Sequence, residues 1–107
     1  MNAYAIAHLQ SVRLGPDIVR YLEEIDATLA PFGGRFLVHG AQPEVKEGEF
    51  PGNIVIIQFP DRAKAEAWYA SPAYRAILLL RTENAEGPVI IVDGVSDRHR
   101  ATDILAT

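Results

Sequence analysis

The side chains able to move a proton or hold an anion are few in this sequence, and their spacing groups them. Tyr4 and His8 stand four residues apart in one alternating stretch, as do Arg35 and His39 in another. Residues separated by an even number in a strand point the same way. If the two faces line one cavity, two imidazoles, a phenol and a guanidinium meet a single ligand. Such a set can take a proton from carbon, polarise a carbonyl or hold a carboxylate. His8 and His39 are therefore the candidate catalytic residues, with Tyr4 and Arg35 as candidate ligand-binding residues. The other reading is that both histidines only finish a dimer interface or a sheet edge. Trp68, Tyr69 and Tyr74 would wall an apolar pocket for a flat organic molecule, or else be ordinary core aromatics. Arg81 follows Tyr74 by seven residues, on the same helix face. It would serve that pocket or pair with the carboxylate of Glu47 or Asp93.

Other chemistries are excluded by what is missing. The sequence has no cysteine, so thiolate nucleophiles, disulfides and Cys-ligated metal centres are out. Its three histidines show no i,i+4 pair and no HExxH string, so no metal site is expected. Nucleophile elbows, phosphate loops and dinucleotide fingerprints are also missing, and no organic cofactor is expected. With 14 acidic against 10 basic residues the net charge is −4, unsuited to phosphate backbones or an acidic membrane surface. The longest aliphatic runs, 54–57, 77–80 and 89–92, fall far short of a membrane span. No basic and apolar leader opens the chain, which reads as cytoplasmic.

The elements that must position these residues follow from periodicity. Alternation over 3–12 gives a first strand, with Tyr4, Ile6, His8 and Gln10 opposite Ala5, Ala7 and Leu9. Gly15, Pro16 and Asp17 open an amphipathic helix whose apolar stripe is Ile18, Leu22, Ile25, Leu29 and Phe32. Gly33 and Gly34 end it, and 35–39 is a second strand. A long connection, 41–52, leads to an aliphatic strand over 53–59. Asp61 starts a helix that breaks at Ser71, since proline disfavours helical angles in the residue before it; a second piece runs from Pro72 to about Arg81. A last strand covers 89–95. Residues 1–95 thus read as one domain and 96–107 as a C-terminal tail.

The order β-α-β-β-α-β is the ferredoxin-like α+β arrangement, two helices on one face of a four-stranded antiparallel sheet. The other face would expose aliphatic side chains, and a second copy of the chain is the usual cover. A homodimer, two sheets packed into a dimeric α/β barrel, is expected. The same element order occurs in the RNA-recognition fold, but the aliphatic strand 53–59 lacks the aromatics that stack bases.

Several strings together resemble a known family: Ala3-Tyr4-Ala5-Ile6, Phe32-Gly33-Gly34-Arg35-Phe36-Leu37-Val38, Glu47-Gly48-Glu49-Phe50-Pro51, Phe59-Pro60, Ala67-Trp68-Tyr69-Ala70-Ser71-Pro72-Ala73-Tyr74 with Arg81, and Val92-Asp93-Gly94-Val95. In this order they resemble the uncharacterised "domain of unknown function 1330" family, within the dimeric α/β-barrel superfamily. The resemblance implies the dimeric fold. It also implies relatives that are cofactor-free monooxygenases of the antibiotic-biosynthesis type, muconolactone isomerase-like proteins and haem-binding members. The sequence departs from the commonest family form at 11–15 and at His39, where arginine is frequent. The expected function is a small-molecule-binding protein or a cofactor-free enzyme that abstracts a proton, isomerase- or monooxygenase-like, with its pocket between sheet and helices. The alternative is a non-catalytic dimeric module.

Overall fold

In the computed structural model, which describes residues 1–106, the opening alternation forms strand β1 (Ala3–Leu9), hydrogen-bonded to a neighbour on each side. There follow β2 (Ser11–Val12), α1 (Pro16–Leu29), a 3-10 turn at Ala30–Phe32, β3 (Arg35–Val38) and β4 (Asn53–Phe59). The second half holds α2 (Arg62–Ala70), α3 (Pro72–Thr82), β5 (Ala85–Glu86), β6 (Val89–Asp93) and a 3-10 segment at Ala101–Ala106. The main sheet has four strands in the order β3, β4, β1, β6, all antiparallel. This is the ferredoxin-like α+β fold. None of the described helices is long and apolar enough to cross a membrane.

The strand expected over 3–12 is broken at Gln10. Beyond the break β2 leaves the main sheet and pairs with β5, Ser11 opposite Glu86 and Val12 opposite Ala85. Two glycine turns press on the backbone at that point. A Cβ on Gly87 would lie 1.7 Å from the carbonyl oxygen of His8, and one on Gly52 would lie 2.0 Å from that of Leu9. Both glycines have positive φ, so any other residue would be strained as well as crowded. The bend is a tertiary effect with no period of its own in residues 3–12. The last strand is also shorter than expected, ending at Asp93.

The helix starts and stops follow the expected caps. Pro16 opens α1 with Asp17 in its first turn, and the Asp61 carboxylate accepts from the Lys64 N–H at 2.8 Å to open α2. At Ser71 one hydroxyl does two things. It donates to the Trp68 carbonyl at 2.7 Å, closing α2, and accepts from the Tyr74 N–H at 3.2 Å, opening α3. A cap of this kind contributes about 1 kcal/mol. The change of direction turns Tyr74, Ile77 and Arg81, spaced three and four apart, inward as one buried stripe of α3.

The two faces of the sheet differ from the outset. Alternation puts Ala3 and Ala5 of β1 with Ile57 and Phe59 of β4 on the covered face, where they meet Tyr21, Ile25 and Leu29 of α1, Trp68 of α2 and Tyr74 of α3. Alanines on β1 leave room there for large aromatics from the helices. On the opposite face lie Ile6, Ile54, Ile56, Ile90 and Val92, of which Ile90 is 52% and Val92 40% exposed.

Candidate functional site

Between α1, α3 and the covered sheet face is a cavity of about 80 Å³. Its floor is Ala5, Ala7 and Leu9 of β1 with Val55 and Ile57 of β4, and α1 supplies Ile18, Ile25 and Tyr21. Tyr21, Tyr74, Arg81 and His39 bring polar groups to its lining. The Tyr21 and Tyr74 hydroxyls are 2.7 Å apart, their rings edge to face at 6.1 Å, and Arg81 is near enough for both hydroxyls to raise its pKa. Arg81 is only 8% exposed. No carboxylate of the described residues forms an ion pair with it. Asp93 faces Arg62 instead, at 3.5 Å, and Glu47 stands exposed in the 41–52 connection. The alternative of an Arg81 pair with either acid is thereby removed.

The environment sets the protonation of this group. Burial, with the neighbouring Tyr74 next in weight, pushes the Tyr21 phenol far above its ordinary range. Burial pulls the Arg81 guanidinium toward its neutral form, but the Tyr74 and Tyr21 hydroxyls outweigh it and the pKa moves up. At neutral pH the end of the cavity therefore holds a cation beside a neutral phenol at Tyr21.

The two histidines do not meet. His8 lies on the open face, where β1 pairs it with Ile54. Its Nε2 is 2.8 Å from the Pro51 carbonyl, which only accepts, so Nε2 carries the proton. The imidazole also stacks on Phe50 at 3.9 Å, 13° from parallel. His39 lines the cavity instead, stacked on Phe36 at 4.4 Å. Simple parity would set it beside Arg35, but β3 slips by one residue between Phe36 and Val38, since Phe36 opposes Ile57 and Val38 opposes Ile56. A bulge reverses the side on which later residues fall. His39 thus joins Phe36 on the covered face, while Arg35 stays opposite Gln58 on the open one.

The remaining candidates divide in the same way. Tyr4 and Arg35 both pair with Gln58 across the open face, and the Arg35 Nε–H donates to the Gln58 side-chain Oε1 at 3.0 Å. Trp68 lines the cavity, its indole N–H donating to Thr28 Oγ1 at 3.0 Å. Tyr69 packs edge-on against Trp68 at 6.0 Å and faces a separate shallow groove with Arg62, Glu66 and β6. The residue that sequence reasoning missed is Tyr21. Its signal was present, three residues after Ile18 and four before Ile25 on the same helical stripe. Among the described residues no three His, Asp or Glu side chains gather as metal ligands.

Comparison with known proteins supports the fold and the family. No curated protein matches the sequence. A protein of unknown function from Rhodopseudomonas palustris superimposes with a TM-score of 0.65 at 13% identity, over 89% of this chain and 83% of that one. A dimeric ferredoxin-like protein of unknown function from Jannaschia sp. CCS1 gives 0.61 at 13% identity, over 88% of this chain and 100% of that one. SnoaB, a cofactor-independent oxygenase from Streptomyces nogalater, gives 0.56 at 10% identity, over 92% and 96% respectively. The profile of the family described as "Domain of unknown function (DUF1330)" matches residues 2–95, and the chain belongs to that family.

Proposed function

We propose that this protein binds a small organic molecule in the cavity between its sheet and its own helices, and does so as a homodimer joined through the open sheet face. The observation that carries the reading is an apolar, largely buried cavity with a guanidinium and two phenols gathered at one end. Ligand sites have this composition, apolar walls with a few convergent polar groups. The dimer is supported by the aliphatic row Ile6, Ile54, Ile56, Ile90 and Val92, an apolar face of the kind that partners cover. Covering it would bury on the order of 1,200 Å² or more in total.

Cofactor-free proton abstraction is favoured by one observation, the His39 imidazole on the cavity lining. In this reading it acts as general base on a ligand held by Tyr74 and Arg81. SnoaB is described as a cofactor-independent oxygenase on this fold. His8, clamped by Phe50 and Pro51, belongs to the open face and serves its architecture.

Nuclear magnetic resonance with xenon and small neutral aromatics tests the cavity. Shifts at the Trp68 indole N–H and the Ala5 and Ile57 methyls are expected, with none at His8. A folded protein whose cavity resonances respond to no probe would refute the binding reading and leave a non-catalytic dimeric module. Light scattering tests assembly, with twice the 11.8 kDa chain mass expected; a stable monomer would remove the dimer.

A further inference from the structure

Hydrogen-bond arithmetic at the closed end of the cavity is one-sided. A guanidinium has five N–H donors and no acceptor, and a hydroxyl has one donor. The Tyr21 and Tyr74 hydroxyls use one of their two protons on each other, and Arg81 lines the same cavity, near enough for both to raise its pKa. The group therefore holds more donors than acceptors, five guanidinium N–H groups and one further hydroxyl proton against two phenolic oxygens, and that excess suits a guest that only accepts.

Charge points the same way. Arg81 is 8% exposed, and among the described residues every ion pair is made elsewhere, by Arg13, Arg20, Lys46, Arg62 and His99. A buried cation without an anion is costly. The two hydroxyls solvate it without neutralising it. One negative charge would complete the site, whereas a second would itself lie uncompensated in an apolar cavity.

From these observations we infer that the ligand is a small monocarboxylate, its carboxylate on Arg81 and the tyrosine hydroxyls and its apolar body along Ala5, Ala7 and Ile57. This deepens the binding reading above and rests on it. The volume of about 80 Å³, roughly half that of an engineered cavity that takes benzene, admits a short aliphatic acid. A longer one extends past Val12, Leu22 and His39, which line the same cavity and are exposed.

The test compares butyrate with butyramide, the same body without the charge, by chemical-shift titration of the wild-type protein alongside xenon. Butyrate is expected to shift the Trp68 indole N–H and the Ala5 and Ala7 methyls and to bind roughly tenfold to hundredfold more tightly than the amide, as hydrogen bonds to a charged group warrant. Arg81→Met should abolish that preference and still admit xenon. Arg81→Lys should retain part of the preference. If xenon enters but acid and amide bind alike, the anion assignment is overturned and the cavity stands. If neither xenon nor butyrate enters, both readings fall. Should Arg81→Met fail to fold, the wild-type comparison of acid with amide still decides. Inorganic chloride competing as well as butyrate would also overturn the assignment, by showing that the apolar body contributes nothing.

Discussion

Arg35 and Arg81 belong to opposite sides of one sheet, and the contrast between them separates two kinds of surface. Arg35 is exposed, and its guanidinium is occupied by the neighbouring Gln58 in a row of cross-strand partners. Water screens a charge in that position, and such a contact is worth little. Arg81 is the same side chain held between a helix and the covered face, where screening is weak and only phenols answer its charge. In the proposals above, the open face is the one a second copy covers, and the covered face is the one that takes a small acid with an apolar body. Proximity in sequence does not decide which role a residue takes; one bulge in β3 is enough to send His39 to the cavity while Arg35 remains outside.

The largest test of this division uses two adjacent isoleucines. Ile57 is 5% exposed in the core of the covered face, whereas Ile56 opposes Ile6 on the open face. Ile57→Ala should cost about 2–5 kcal/mol of stability, from lost burial and the cavity it leaves, without changing the mass seen by light scattering. Ile56→Asp should do the reverse, giving a folded species of 11.8 kDa in place of the dimer. A dimer that survives Ile56→Asp would mean that the open face is not the interface.

These residues also show what was legible beforehand. Alternation in 3–9 and 53–59 assigned every side chain of β1 and β4 to its face, because regular strands keep a period of two. The break at Ser71 was equally plain, since proline and a capping hydroxyl act locally. Residues 35–39 misled, because a one-residue slip against β4 is decided by the partner strand and inverts parity without altering composition. The kink at Gln10 was hidden for a similar reason, since the turns packed against it, at Gly52 and Gly87, lie far along the chain. The candidate site was affected by the slip in β3. Trp68, Tyr74 and Arg81, taken from helical spacing, line one cavity, while the grouping of His8 with His39 relied on a parity that the bulge cancels.

A smaller effect sharpens the description of the covered face. Burial raises the Tyr21 phenol well above its ordinary value of 10.0. In the unfolded chain that phenol ionises near pH 10, while the folded protein keeps its proton. The stabilisation is thus complete below pH 10 and is lost as pH rises, by about 1.4 kcal/mol per pH unit above that point. Denaturant midpoints measured from pH 9 to 11 should fall more steeply for the wild type than for Tyr21→Phe. Parallel slopes would show that the Tyr21 hydroxyl is reached by water, and the account of a dry donor pocket would go with it.

The smallest effect probes the open face through His8. Its Nε2–H bond to the Pro51 carbonyl and its stacking on Phe50 tie the 41–52 connection to the end of β1. Both contacts are near the surface, so His8→Ala should cost about 1 kcal/mol or less. The change should instead be local: faster amide exchange within 41–52, where few backbone hydrogen bonds resist opening. Binding of xenon or butyrate in the cavity should be unaltered, since His8 points to the other side of the sheet. If His8→Ala weakens binding as strongly as a change at Tyr74, the two faces communicate through β1, and the division between covering surface and binding surface is wrong.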